Sequence, residues 1–252
     1  VVNPIPNINL NLDGLSNELV CSNLSSFFVT LDAGLLDGSP TSNYDYIWTK
    51  DEIIVGTNSP TLDVNTVGDY TVEVINNVGC SRIRTITVTA SNTATINSVD
   101  VVDLTDNNTI TITATGPGDY QYSLDEPNAS WQDSSFFNNV PAGIHIVYIN
   151  DKNGCGLVYQ EIIVVGVPKF FTPNGDGHND YWSIKGVNET FNSKSIIYIF
   201  DRYGKLLKQW VPSLNPGWDG TFNGILLPAD DYWFTLKLED GREKKGHFSL
   251  KR

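Results

Sequence analysis

The 252-residue sequence lacks methionine altogether and has only three cysteines and three histidines. Three cysteines are too few for a fold held together mainly by disulfides. The histidines, His145, His178 and His247, stand in separate segments without the spacing of a metal-binding motif, and neither a nucleophile elbow nor a phosphate-binding loop occurs. No apolar run is long enough to cross a bilayer. We therefore predict a protein that is not an enzyme, has no membrane-spanning segment and uses no cofactor.

Basic residues are also scarce, because 16 Lys and Arg stand against 29 Asp and Glu, for a net charge of −13. Residues 1–167 carry 4 basic and 19 acidic side chains, whereas residues 168–252 carry 12 and 10. The acidic part argues against nucleic acid as a partner, since nucleic acid requires a positively charged surface. The change near residue 168 predicts that the last part of the chain faces a different partner from the rest.

The abundant residues are Thr, Asn, Ser, Val and Ile, which favour strands and turns over helices. An internal repeat relates residues 68–74 (GDYTVEV) to residues 143–149 (GIHIVYI), and in both copies a cysteine follows the glycine by twelve positions. This period of about 75 residues suits tandem sandwiches better than a solenoid. We predict an all-β chain of three tandem immunoglobulin-like β-sandwiches at residues 1–90, 91–167 and 168–252.

The cysteines leave one pairing open. Cys21 and Cys80 both lie in the first module and could form a disulfide, although in a simple Greek key they would fall at opposite ends of the sandwich. Cys155 is expected to have no partner, since Ile96 stands at the position of the second module that corresponds to Cys21.

Aromatic residues suggest an alternative function, a carbohydrate- or surface-binding module. Trp131, Tyr120, Tyr122 and Phe136–Phe137 could line a glycan platform in the second module, but packing across strands in the core is the interpretation that we favour. Trp48 is predicted to fill the centre of the first sandwich, as a buried tryptophan does in immunoglobulin-like domains.

The last third contains a series of turn motifs between short strands. Asp201-Arg202-Tyr203-Gly204 joins two apolar strands and predicts a hairpin in which Gly204 supplies the positive φ angle. The order of the motifs is FFTPNGDGHNDYW (170–182), IYIFDRYGKLL (197–207), GWDGTFNG (217–224), LPADDYWFTLKLEDGR (227–242) and KGHFSLKR (245–252). This series resembles the gliding motility-associated C-terminal domain, the type B sorting domain of type IX secretion substrates in Bacteroidetes. The first two modules resemble the Ig/PKD-like and adhesin-repeat domains that often precede it.

The resemblance implies a folded address label for export. It implies recognition by the outer-membrane type IX translocon and an SprF/PorP-like protein, display at the outer cell surface, and a label that need not be cleaved. Because the chain begins VVNPIPNINL, without an initiator methionine or a signal peptide, we expect the mature C-terminal part of a large surface adhesin. The residues expected to form the secretion signal are Thr172, Pro173, Asn174, Gly175, Asp176, Gly177, Asn179, Asp180, Asp201, Arg202, Tyr203, Gly204, Trp218, Asp219, Gly220, Gly246, Lys251 and Arg252.

The NGDG segment also resembles the centre of a calcium loop, in which oxygen ligands alternate. Asn174, Asp176 and Asp180 could contribute oxygens, but the frame fails at both ends, where Thr172 and Ser183 replace the expected ligands. The alternative is a turn in which Asn and Asp side chains accept neighbouring backbone N–H groups. We favour this turn over a calcium site.

Overall fold

The computed structural model describes residues 4–12, 14, 17–36, 38–127 and 130–252. Within them the chain forms twenty β-strands and two short 3₁₀ turns, Thr41–Asn43 and Pro212–Leu214. The predicted all-β fold class is therefore confirmed. Val, Ile, Thr and aromatic residues alternate with polar ones in most strands, so that one side of each sheet is buried and the other is exposed.

The strands fall into three groups along the chain. The first seven are β1 (Glu18–Cys21), β2 (Val29–Asp32), β3 (Tyr44–Lys50), β4 (Ile53–Ile54), β5 (Thr61–Val64), β6 (Gly68–Asn76) and β7 (Ser81–Ser91). The next six are β8 (Thr95–Val102), β9 (Thr109–Thr115), β10 (Tyr120–Leu124), β11 (Phe136–Phe137), β12 (Gly143–Asp151) and β13 (Leu157–Val164). The last seven are β14 (Phe170–Phe171), β15 (Ile196–Phe200), β16 (Leu206–Trp210), β17 (Thr221–Phe222), β18 (Ile225–Leu226), β19 (Asp230–Lys237) and β20 (Glu243–Leu250).

The chain packs into two compact units. The first comprises Val1–Thr95, Ala114–Gln121 and Ile149–Val158, and the second comprises Ile96–Thr113, Tyr122–Tyr148 and Tyr159–Arg252. Strands β8 to β13 form two three-stranded sheets, in the orders β10-β12-β13 and β11-β9-β8. Segments of these strands belong to each unit, so the units do not coincide with the three modules expected from the sequence. The module boundaries remain a prediction.

The first unit is built on a five-stranded sheet in the order β1-β7-β6-β3-β4, faced by the pair β2 and β5. Strand β1 runs parallel to the end of β7, with Glu18 opposite Val88 and Cys21 opposite Ser91. Trp48 is 1% exposed, and its Nε1 donates to the carbonyl oxygen of Ser59 at 2.8 Å. The prediction that Trp48 fills the centre of this core is confirmed.

The disulfide of this unit joins Cys21 to Cys155, with their Cα atoms 5.2 Å apart. The pairing of Cys21 with Cys80, which the sequence left open, does not occur, and the expectation that Cys155 has no partner is wrong. Cys80 precedes the first residue of β7, whereas Cys21 lies beside its last residue, so the two are about 35 Å apart along a strand that rises about 3.3 Å per residue. A disulfide needs Cα atoms within about 7 Å. Cys80 is a free thiol.

A buried carboxylate accompanies the disulfide. Asp151 is 1% exposed. Its Oδ2 accepts the Ser91 hydroxyl at 2.8 Å and the Cys155 N–H at 3.2 Å, while its Oδ1 accepts the Asp119 N–H at 3.0 Å. These bonds satisfy both oxygens of a polar side chain that would otherwise be costly to bury. They attach the segments 114–121 and 149–158 to the end of β7.

The C-terminal sheet of the second unit has the order β14-β20-β19-β15-β16. Only β14 runs parallel to its neighbour, and the other pairs are antiparallel. The core beneath it is aromatic: Trp182 stacks on Phe248 with ring centroids 3.8 Å apart, and Trp218 meets Tyr232 edge-on at 5.0 Å. Leu104, Ile163 and Val167 pack against the same core. The loops between these strands are therefore joined to a tightly packed aromatic core.

Candidate functional site

Most of the motifs meet at one end of the C-terminal sheet. Strand β20 ends at Leu250, which lies opposite Asp230 at the start of β19 and beside Phe171 at the end of β14. Strand β15 ends at Phe200, where it turns into β16. The turn 201–205, the start of β19, the loop that begins at Thr172 and the terminal residues 251–252 therefore lie at the same end, which we call the motif end.

The turn at residues 201–205 is held by its first side chain. Asp201 Oδ1 accepts the backbone N–H groups of Tyr203 and Lys205, both at 2.9 Å. Gly204 has a φ of 79°, which confirms the positive angle expected from the sequence. The side chain of Tyr203 is left 87% exposed. The turn thus presents a large aromatic ring to solvent on a hydrogen-bonded loop.

The neighbouring residue of the turn is tied to β19. Arg202 Nη2 forms an ion pair with Asp230 Oδ2. The N–H of Asp231 and then the guanidinium of Arg202 lower the pKa of Asp230, while Asp230 raises the pKa of Arg202. Asp230 stays ionised, so this pair joins the turn to the start of β19 at neutral pH.

The GWDG loop is largely structural. Trp218 is fully buried and exchanges two backbone hydrogen bonds with Trp182, at 2.8 and 2.9 Å. Its Nε1 donates to the carbonyl oxygen of Thr221 at 2.8 Å. Asp219 Oδ1 accepts both the N–H and the hydroxyl of Thr221, at 3.1 and 2.8 Å. These residues shape the loop from inside and offer little surface to a partner.

Gly220 brings this loop against the end of β20. Its φ is 77°, and a Cβ there would lie 2.6 Å from Leu250 Cδ1 and 3.3 Å from Phe171 Cζ. Arg252 Nη2 donates to the Gly220 carbonyl oxygen at 3.4 Å. A larger residue would have to push the loop away from the strand, so glycine is required here by space as well as by angle.

Two other predicted residues act locally. Lys251 places its Nζ 4.4 Å from the centroid of the Phe170 ring, a cation–π contact on the surface of the motif end. Gly246 lies in the middle of β20 opposite Phe234, and a Cβ there would lie 2.9 Å from the Phe234 ring. Gly246 is therefore a packing position away from the motif end.

The loop 172–180 is closed by hydrogen bonds from its own backbone. Asp180 Oδ1 accepts the N–H groups of Asn174 at 3.0 Å and Gly175 at 2.7 Å, and its Oδ2 accepts that of Gly177 at 2.8 Å. Thr172 N–H donates to the carbonyl oxygen of Asn179 at 2.8 Å. The carboxylate of Asp180 thus organises the whole turn.

The same bonds bear on the calcium alternative. Asp176 Oδ1 accepts the His178 N–H at 2.7 Å, and Asn174 Oδ1 accepts the Asp176 N–H at 3.1 Å. The oxygens of Asn174, Asp176 and Asp180 face N–H donors, which a cation would have to displace. In the described part of the chain, no three His, Cys, Asp or Glu side chains are grouped to hold a metal ion. The turn therefore remains the interpretation that we favour over a calcium site.

We predict that replacing Asp180 with asparagine lowers the melting temperature near neutral pH more than in acid. The N–H groups of Gly175 and Gly177 lower the pKa of Asp180 below its usual 3.8, so its stabilising effect is present above that pH and is lost as the pH falls through the folded-state pKa. Thermal unfolding of both proteins over a pH series measures the difference. Glu189→Gln, which removes an exposed carboxylate outside the loop 172–180, is the control. An Asp180→Asn deficit that is the same at every pH would contradict the prediction.

The strand residues considered for the alternative glycan platform belong to two sheets. Tyr120 uses its hydroxyl to accept the Gly118 N–H and to donate to the Asn92 carbonyl oxygen, at 3.1 and 3.2 Å. Tyr122 belongs to the sheet β10-β12-β13, whereas Phe136 and Phe137 belong to the sheet β11-β9-β8. Tyr122 and the two phenylalanines therefore do not form one flat row.

Two residues of the motif end were not singled out from the sequence. Asp230 contributes the ion pair with Arg202, and Phe170 lies under the Lys251 ammonium. Both lie inside the motifs given above. Asp230 could have been identified because it starts strand β19 at the end of the sheet that also carries Arg202 and Arg252. The pairing depends on strand register, which links residues far apart in sequence.

Comparison with solved structures aligns several chains with this one at low identity. Sidekick-1 immunoglobulin domains 1–5 align at a TM-score of 0.40 with 13% identity, over 93% of this chain and 57% of that chain. The three-Ig structure of titin domains I67–I69, an E-to-A mutated variant, aligns at 0.38 with 11% identity, over 94% of this chain and 95% of that one. The three N-terminal domains of the bacteriophage RB49 Hoc protein align at 0.35 with 14% identity, over 94% and 96%. These likenesses do not bear on function. No curated protein matches the chain.

The C-terminal domain, in contrast, matches a family. No helix formed by the described residues is long and apolar enough to cross a bilayer. The family match covers the loop 172–180, the turn 201–205, the GWDG loop and strands β14 to β20, and it ends at Leu250. The predicted resemblance to a sorting domain is confirmed: residues 165–250 match the CHU_C type IX secretion signal domain, which implies export to the cell surface or extracellular space through interaction with the secretion machinery.

Proposed function

We propose that the C-terminal domain is a folded address label that the outer-membrane type IX translocon recognises at the motif end, together with an SprF/PorP-like protein. The observation that carries this proposal is the convergence of the exposed motif residues on one end of a rigid sheet. Tyr203, Arg202, Lys251 and Arg252 are all exposed there, while Trp218 and Gly220 hold the surface in place from inside. A surface of fixed shape can be recognised without any chemistry being performed on it.

The residues before this domain serve as a stalk. They belong to a surface adhesin of a gliding member of the Bacteroidetes, and the label need not be cleaved after export. Three features support this assignment: the acidic charge of residues 1–167, the strand-rich fold, and the disulfide from Cys21 to Cys155. Disulfides persist in oxidising compartments, which agrees with an exported protein. Secretion signals and immunoglobulin-like domains are non-catalytic kinds of domain, and the proposed role requires no catalysis.

The test is surface display of the full chain with a fluorescent protein fused at its N-terminus. We expect Arg202→Ala combined with Tyr203→Ser to abolish most of the display while changing the free energy of unfolding by less than about 1 kcal/mol, because both side chains are exposed. Tyr159→Ser is the matched control, since Tyr159 is 69% exposed and lies outside the sorting domain. Display of the double variant at the wild-type level, or display of the wild type in cells without the translocon, would contradict the proposal.

A further inference from the structure

One edge of the C-terminal sheet is mostly open. Strand β20 has eight residues, but its outer neighbour β14 has only two, which lie beside Ser249 and Leu250. Within the described chain, no strand pairs with the remaining residues 243–248 on that side. An open strand edge is a ready template for another strand.

The backbone groups at this edge have a definite direction. The N–H of Ser249 donates to the Lys169 carbonyl oxygen at 3.0 Å, and the N–H of Lys251 donates to that of Phe171 at 3.0 Å. Because backbone groups alternate in direction along a strand, the N–H and C=O groups of Lys245 and His247 point to the same side. They face the stretch of edge that β14 leaves uncovered.

A groove runs along this edge. Its volume is about 860 Å³. Its apolar lining includes Leu104, Val167 and Phe170, and Phe234 lies at its base beside Gly246. The groove therefore offers apolar surface to the alternate side chains of an extended segment.

The charged lining of the groove is mostly positive. Lys169, Lys185 and Lys244 line it together with a single carboxylate, Asp106. Lys169 pairs with Asp106 at 2.7 Å and is the main cause of the lowered pKa of Asp106. The ammonium groups of Lys185 and Lys244 form no ion pair with any described residue. Lysines at a strand edge discourage pairing with neutral or basic strands, but they favour a strand that carries carboxylates.

We propose that the open edge of β20 and its groove bind an extended acidic segment of the secretion machinery, which adds to the sheet as a further strand beside residues 243–248. Backbone hydrogen bonds to Lys245 and His247 would hold the segment, and carboxylates facing Lys185 and Lys244 would select it. The inference rests on the proposed function only for the origin of the segment. Its binding site follows residues 243–248 of β20 and adjoins the motif end at Phe170 and Asn179.

The test is binding of a synthetic peptide of alternating glutamate and valine, about eight residues long to match a strand, to the full chain by fluorescence anisotropy. We expect saturable binding that weakens as salt rises. The double variant Lys185→Glu/Lys244→Glu should weaken binding by at least about tenfold, because attraction becomes repulsion at two positions. Lys237→Glu makes one such charge reversal on the same sheet outside the groove and should leave binding unchanged. The same peptide with alternate N–H groups methylated should not bind, because it cannot complete the strand.

Each other outcome counts against the inference. Failure of the wild type to bind the peptide, equal binding by the double variant, or equal binding of the methylated peptide would each overturn it. Surface display separates the inference from the proposed function. If display of the wild type requires the translocon and the double variant is displayed equally well, the inference fails and the address label stands. If display of the wild type does not require the translocon, the address label fails, and the peptide experiment still decides whether the groove binds an acidic strand.

Discussion

Replacing Trp182 with alanine is expected to lower the free energy of unfolding of the C-terminal domain by about 3–5 kcal/mol, the usual range for removing a buried tryptophan. Trp182 is fully buried, stacks on Phe248, and contacts the rings of Phe234 and Trp210 at 5.3 and 6.3 Å. Its Nε1 also donates to the Pro168 carbonyl oxygen at 2.9 Å. Because a small domain has a stability of only about 5–15 kcal/mol, this loss leaves little margin. Denaturant unfolding followed by tryptophan fluorescence measures it.

The adjacent Tyr181 provides the matched control. It is 51% exposed, so Tyr181→Ala should change the free energy of unfolding by no more than about 0.5 kcal/mol. If both variants lose the same amount, or if Trp182→Ala unfolds at the wild-type denaturant concentration, the aromatic core does not have the role described above.

Removing the disulfide should have an effect of similar size. In the chain-entropy account, a crosslink across 134 residues stabilises the folded state by up to about 5 kcal/mol, so Cys21→Ser/Cys155→Ser should unfold at a much lower temperature. Both sulfur-bearing residues are 1% exposed, and serine hydroxyls would be left in a buried site. Thermal unfolding by calorimetry measures the loss.

Cys80→Ser is the control for this pair. Cys80 is a free thiol and is only partly buried, so its replacement should leave the melting temperature nearly unchanged. Under a strong reductant, unfolding of the wild type should shift towards that of the double serine variant. A wild-type melting temperature that is the same with and without reductant after unfolding and refolding would contradict the assignment of the bond.

Local signals in the sequence predicted local structure well. Strand-forming composition predicted the all-β class, and the glycine of DRYG predicted a hairpin whose positive angle is confirmed. Trp48, flanked by alternating residues of a strand, was correctly predicted to be buried. These inferences succeed because periodicity and turn chemistry act over a few residues.

Features that depend on register or topology were not predicted. The bond between Cys21 and Cys155 was missed because β1 joins β7 in parallel, at the end of β7 that is far from Cys80. Nothing in the local sequence indicates a parallel pair. The ion pair of Arg202 with Asp230 requires β15 and β19 to be neighbours. The open edge of β20 exists because β14 has only two residues. Each of these depends on contacts between distant segments.

The bond between Cys21 and Cys155 has a mechanical consequence for a chain under tension. If the two termini were pulled apart, the force would pass from Cys21 directly to Cys155 and bypass residues 22–154, whatever their non-covalent stability. Roughly 450 Å of extended polypeptide is thereby withheld from stretching, at about 3.4 Å per residue. Only the short segment before Cys21 and the residues after Cys155 could lengthen.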